Sequence, residues 1–230
     1  MNKVKVNLTH SSIVFIAILA VAVHAYWPTY LSVFFKSNIY AHFHAFVALL
    51  WVGILITQPY LIKTKRFSLH KKVGRSSVLL APILVISVFL FAHYKLTQAQ
   101  GNYSQWQVFV FYLQFSASIF FALLYSLGLY FRRNRAIHSR YMVGTGLTML
   151  DPIFARSLMW LGFEGNPHLA VASVILLILL AGTVLDYKDR NVRWVCPSII
   201  LMVCTMQTPI FFELIHMPWW QNITYWFGSL

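Results

Sequence analysis

The sequence predicts an all-α, polytopic membrane helix bundle of about seven transmembrane helices, and three observations carry that prediction. Apolar residues make up 59% of the 230 and charged residues only 10%, against roughly 25% charged in a soluble domain. Mean hydropathy is +0.67, and aromatic residues reach 17%. A chain this short leaves much of its surface wet when it folds in water, so this much apolar surface needs lipid around it. The same composition excludes a secreted disulfide scaffold, a disordered tail and a soluble nucleotide-binding enzyme. No low-complexity segment or linker divides the chain, so residues 1–230 are expected to form one transmembrane domain.

A spanning helix needs about 20 mostly apolar residues. Seven stretches qualify: 12–34, 39–62, 76–97, 106–131, 141–162, 168–187 and 195–216. The first lacks a convincing small-residue cleavage site and leads into further spans, so it reads as a first helix rather than a removed signal. The second opens with His42 and His44, and the third follows a basic loop and ends near His93. The fourth carries Gln107, Gln114, Ser118 and Tyr125 on one face. The fifth has a stripe of Gly144, Thr148, Asp151 and Ala155, and its Asp151-Pro152 pair predicts a kink that opens space near the midplane. The sixth is apolar almost throughout after His168. The seventh places Met202, Met206, Pro209, Glu213 and His216 on one face. Its Cys196 and Cys204 lie about 12 Å apart along the axis, too far for a disulfide. The tail beyond it, with Trp219, Trp220, Tyr225 and Trp226, suits a membrane interface.

Charge sets the expected orientation. Loops 63–75, 132–140 and 188–193 carry six, four and three Lys/Arg, and Lys3 and Lys5 precede the first span. The opposite loops hold only Lys36 and Lys95, and Arg156 lies inside a span. The positive-inside rule then puts the N-terminus in the cytoplasm and the C-terminus outside. The net charge of +13 thus reads as orientation signal and anionic-lipid contact, not as nucleic-acid binding. A faint echo links residues 69–83 and 137–153, both running from His through basic residues and Gly toward Pro.

With that orientation, six of nine histidines fall in the outer half: His24, His42, His44, His93, His168 and His216. His10, His70 and His138 fall on the inner side. Ionisable groups within spans are costly and mark pathways or sites. His42 and His44 are about 200° apart on a helix, so they cannot share one metal. His44, flanked on its face by Ala41 and Ala48, points inward.

Three chemistries use such a set. Histidines at matched depth on different helices suit a bis-histidine haem b, with His44 and His93 the best match and His24 with His216 a second pair. Arg156 would neutralise a propionate, and the protein would exchange electrons with a quinol or a redox partner protein on the outer side. Zinc is the alternative, held among His24, His44, His93 and His216 with Glu213 as ligand or general base in an intramembrane hydrolase. The third is a proton-coupled transporter or accessory membrane subunit, with a buried Asp151/Arg156 pair and a His-rich proton path. Asp151 and Arg156 are about 140° apart on a helix, so a direct pair needs Arg156 to reach round.

The stretches HFHAFVALLWVGILITQP (42–59), LHKKVGR (69–75) and RYMVGTGLTMLDPIFAR (140–156) resemble a group of uncharacterised bacterial multi-pass membrane proteins. More remotely, the chain is similar to b-type transmembrane cytochromes and ferric-reductase-like bundles, which hold haem between histidines of neighbouring helices. The resemblance implies a bacterial inner (plasma) membrane location and a haem between spans. Such cytochromes place His pairs at two depths, whereas the spans here concentrate theirs at one side, which argues against a complete electron path across the bilayer.

Overall fold

The computed structural model describes residues 8–230, which are helical throughout with short connections and no strand. Lys3 and Lys5 lie outside the described residues, as does the side chain of His10. Helix α1 (Leu8–Tyr26) runs on through a wide turn at Trp27–Leu31. It is followed by α2 (Ile39–Lys63), α3 (Phe67–Thr97) and α4 (Gln105–Tyr130). Asn38 caps α2 by accepting from the Ala41 amide, and Ser104 and Gln107 form a capping box on α4, each satisfying amides that have no partner inside the helix. Then come α5 (Arg135–Gly144), α6 (Leu150–Trp160), α7 (Pro167–Asp186), α8 (Val195–Phe211) and α9 (Pro218–Gly228).

Five helical segments are long and apolar enough to cross a bilayer: Ser11–Leu31, α2, α3, α4 and α7. These helices point to an integral membrane protein. Large apolar side chains such as Leu79, Leu177, Val184 and Leu201 project outward, as lipid-facing residues do.

The remaining two expected spans differ from expectation. The stretch 141–162 is not one helix but α5, a tight turn at Leu147–Met149, and α6. Pro152 has no N–H to give the Thr148 carbonyl, which interrupts the ladder where Gly144 and Gly146 already weaken it. Hydroxyls take over locally: Thr145 donates to the Met142 carbonyl and Thr148 to the Thr145 carbonyl, at 2.7 and 2.8 Å. The stretch 195–216 holds a helix of only 17 residues, α8, and the chain turns at Glu213, whose φ is +55°. Glu213 and His216 therefore leave the face of Met202 and Met206 and are exposed.

Two further boundaries move. Helix α3 starts at Phe67 rather than 76, so most of the basic segment is helical; Lys, Arg and Leu are good helix formers, and their charged ends reach water from the helix terminus. The aromatic tail is itself a helix, α9, entered through Pro218 at its first turn. It lies back on α3 and α4, with Trp220 buried and its indole N–H donating to the Val108 carbonyl at 3.2 Å. Cys196 and Cys204 are free thiols, as expected.

Helix neighbours form a closed circuit. Helix α1 packs on α2, α2 on α3, α3 on α4, α4 on α8, α8 on α7, α7 on α6, and α6 returns to α1. Helix α5 packs against α4 and α8, whereas α6 packs against α1 and α7. The break thus carries the chain from one side of the bundle to the other. It is wedged in place: Phe15 of α1 packs on Gly146, and the buried Trp51 of α2 donates its indole N–H to the Thr145 hydroxyl at 3.3 Å. At the end where the basic segments gather, Arg140 of α5 binds Asp186 of α7 with two hydrogen bonds, of 2.6 and 2.5 Å. Those bonds push the Arg140 guanidinium further toward its charged form.

A Cβ at residue 146 would collide with the Phe15 ring edge, and the ring is buried. We therefore expect Gly146→Ala to lower stability by about 1–3 kcal/mol, as overpacked cores do. Thermal unfolding in detergent checks this, and Phe15→Leu in the same background should recover part of the loss.

Candidate functional site

The functional candidates gather at the end of the bundle opposite the basic segments, and the break positions them. Asp151 stands in the first turn of α6 and His168 in the first turn of α7. In an upright antiparallel pair, the residues from 151 to 160 would separate the two by about 13 Å. Instead, the turn between α6 and α7 brings the two side chains within hydrogen-bond distance. Asn166 fixes the start of α7, its side chain accepting from the His168 and Leu169 amides at 3.0 and 3.1 Å.

His168 Nδ1 then lies 3.1 and 3.0 Å from the two oxygens of Asp151. Both side chains are about nine-tenths buried, with 10% exposure each. The carboxylate has acceptors only, so Nδ1–H donates and the neutral ring keeps its lone pair on Nε2. That Nε2 is buried and has no hydrogen-bond partner among the described residues. Phe109 meets the imidazole edge-on with centroids 5.0 Å apart, and Trp106 lies 6.2 Å away. A cleft of about 330 Å³ opens here, lined by Trp106, Phe109, Met159, Phe163 and His168.

Further along α6, Arg156 does not pair with Asp151, which corrects the expected buried ion pair. Its guanidinium carbon instead sits 4.9 Å over the ring of Tyr26. Asp151 has turned to His168, because the two acids and bases of one helix point about 140° apart. Ser157, next to Arg156, contacts His24 Nδ1 at 3.2 Å. The Trp160 indole donates to the Ala25 carbonyl at 3.1 Å, which pins α6 against α1.

The other predicted ligands are dispersed. His44 Nδ1 binds the Ser87 hydroxyl at 3.0 Å, and its ring stacks on Phe91 with centroids 6.1 Å apart. His93 is packed edge-on against Phe227 of α9 at 5.5 Å. On α3, His93 is about 200° round from Phe91, so it leaves the face that meets His44. His24 lies at the α1/α6 contact and His216 on the exposed turn between α8 and α9. His42 binds the Tyr30 hydroxyl at 2.8 Å. The members of each expected haem pair have separate neighbours: Ser87 and Phe91 for His44, Phe227 for His93 and Ser157 for His24. Among the described residues, no three His, Cys, Asp or Glu side chains converge to hold a metal ion, and the set including Glu213 does not fit zinc.

The sequence pointed to Asp151 and His168 separately, without joining them. Their juxtaposition depends on the path of a six-residue loop, which has no periodic signature. The available signal was the stripe of Gly144, Thr148, Asp151 and Ala155 and the short distance in sequence to the next polar helix start. No family model, curated protein or solved structure matches the chain.

These positions make a sharp expectation for cofactor content. If protein purified from haem-replete cells shows a Soret band, His44→Ala and His93→Ala should leave its amplitude unchanged. A band lost in both variants would restore that ligand pair.

Proposed function

We propose that the chain is a proton-coupled membrane transporter whose proton-carrying group is the His168–Asp151 pair. One observation carries this reading: a half-helix, α6, that starts at a break within the bundle and presents a buried carboxylate to a histidine with a free Nε2. Broken helices that expose ionisable groups inside an apolar bundle are the usual makings of transporter sites, and ionisable pairs there serve proton relays. A proton arriving from the cleft binds Nε2, and the resulting imidazolium is held by the Asp151 carboxylate. Loss of the proton restores the neutral ring. Phe109 and Trp106 bring no charge to the pair from α4, and both Asp151 and Arg156 act electrostatically on Tyr26 of α1.

The proposal includes seven crossings. The short α8 with its following turn supplies one, and the α5–α6 tandem supplies another, beside the five long segments. The basic segments then lie in the cytoplasm and the pair opens toward the outside of a bacterial inner membrane. A periplasm-active reporter fused after residue 230 should be active, and the same reporter fused at 133 inactive. The reverse pattern would invert the orientation.

The transport reading is tested in proteoliposomes loaded with a pH-sensitive dye and given a fractionated extract of small solutes. Wild type should acidify the lumen with at least one fraction, and Asp151→Asn and His168→Gln should each reduce the initial rate at least about tenfold at equal incorporation. Equal rates in all three proteins would overturn the assignment, as would no acidification by wild type with any fraction.

A further inference from the structure

We infer that Arg156, with the face of Tyr26 beneath it, is the binding point for an oxyanion, a carboxylate or a phosphate. This deepens the transport reading by naming the class of solute, and it rests on that reading only for the coupling to protons. Arg156 is half-buried among apolar helices and pairs with no carboxylate among the described residues. The acid nearest in sequence, Asp151, is engaged by His168. At the other end of the bundle Arg140 has its own carboxylate, Asp186. The contrast isolates Arg156 as a cation left uncompensated within the bundle.

The Tyr26 ring offsets little of that charge; a cation–π contact is worth about 0.5–2 kcal/mol. It does place the guanidinium at the α1/α6 contact, where the Trp160 indole donates to the Ala25 carbonyl next to Tyr26. His44 lies within electrostatic range of the same charge, and His24 sits one residue away through Ser157. A planar, oriented guanidinium recognises planar oxyanions through paired hydrogen bonds. Asp151 of the proton pair and the anion point would then share one half-helix, five residues apart. Two sources supply such a group: a small solute from the outside, or the headgroup of an anionic lipid seated between α1 and α6.

The test uses full-length protein in nanodiscs of phosphatidylcholine, with thermal unfolding read by tryptophan fluorescence. Benzoate and inorganic phosphate are titrated separately, and a parallel set of discs contains phosphatidylglycerol. A saturable rise in the unfolding midpoint with benzoate or phosphate in neutral discs identifies a small solute. A rise seen only with phosphatidylglycerol identifies a lipid headgroup. In either case Arg156→Gln should abolish the rise, and Arg156→Lys should weaken apparent affinity at least about tenfold by losing the bidentate fork.

No response of wild type to any of the three probes overturns the inference, as does a response of Arg156→Gln equal to wild type. If Arg156→Gln does not fold, the comparison of wild type with Arg156→Lys decides, and equal affinity overturns it. Asp151→Asn separates the two readings, since it should retain anion binding while losing solute-driven acidification. Anion binding without acidification in wild type would sink the proton reading alone, and acidification without an Arg156-dependent response would sink the anion site alone.

Discussion

The arrangement of this bundle depends on an interruption that the apolar surroundings make expensive. A backbone carbonyl without a partner costs several kcal/mol in hydrocarbon, yet the chain breaks its helix between Gly144 and Leu150. It does so where hydroxyls can step in, from Thr145 and Thr148, and where neighbouring helices seal the gap. Phe15 closes on the bare Cα of Gly146, and Trp51 reaches the Thr145 hydroxyl from the opposite wall. Without that closure α6 would continue α5 along the α4/α8 side. With it, α6 crosses to α1 and α7, and Asp151, Arg156 and Ser157 arrive together against side chains of those two helices.

What the sequence made legible follows from what is periodic in it. Long apolar runs fix the existence of α2, α3, α4 and α7, because length and hydropathy are local properties. Their ends are less legible: Lys71, Lys72 and Arg75 read as a loop by charge, yet they extend α3, since a basic side chain suits a helix whose end lies at the membrane surface. The kink at Pro152 was readable from one dipeptide, although the extent of the break was not, because the glycines and threonines that complete it act through Phe15 and Trp51. Helix α9 was read as an interfacial tail. Its aromatic residues do both jobs: Trp220 is buried against Phe111 and Val108, while Trp219 and Trp226 stay exposed.

The histidines show why a matched depth is weaker information than a matched face. Six of them sit in the half of the chain's spans away from the basic segments, which invites a shared cofactor. In the fold most find separate local partners: Ser157 for His24, Tyr30 for His42, Ser87 for His44 and Phe227 for His93. The partners in these contacts carry no charge, and the contacts join adjacent segments, as polar side chains do in membranes. His168 differs in chemistry. Its partner is a carboxylate, so one ring nitrogen is committed, and the other, Nε2, has no hydrogen-bond partner among the described residues.

Compensation of charge separates structure from function at the two ends of the bundle. Arg140 and Asp186 neutralise one another through two hydrogen bonds, and such a pair ties α5 to α7 without asking for a ligand. At the other end, Asp151 is matched by a histidine that is cationic only when protonated, and Arg156 by an aromatic ring that carries no charge. The balance of this half-helix therefore changes with its occupants. With no proton and no anion, one negative and one positive group lie on it unmatched. A proton on His168 neutralises Asp151, and an oxyanion on Arg156 neutralises the guanidinium. In the low dielectric of the bundle each unmatched charge is costly; with neither proton nor anion, and again with both, the charges sum to zero, but each has its own partner only when both are bound. In the proposed transport cycle, coupling of the two needs no direct contact between proton and solute, only that the bundle rearrange more readily when each of these charges has its partner.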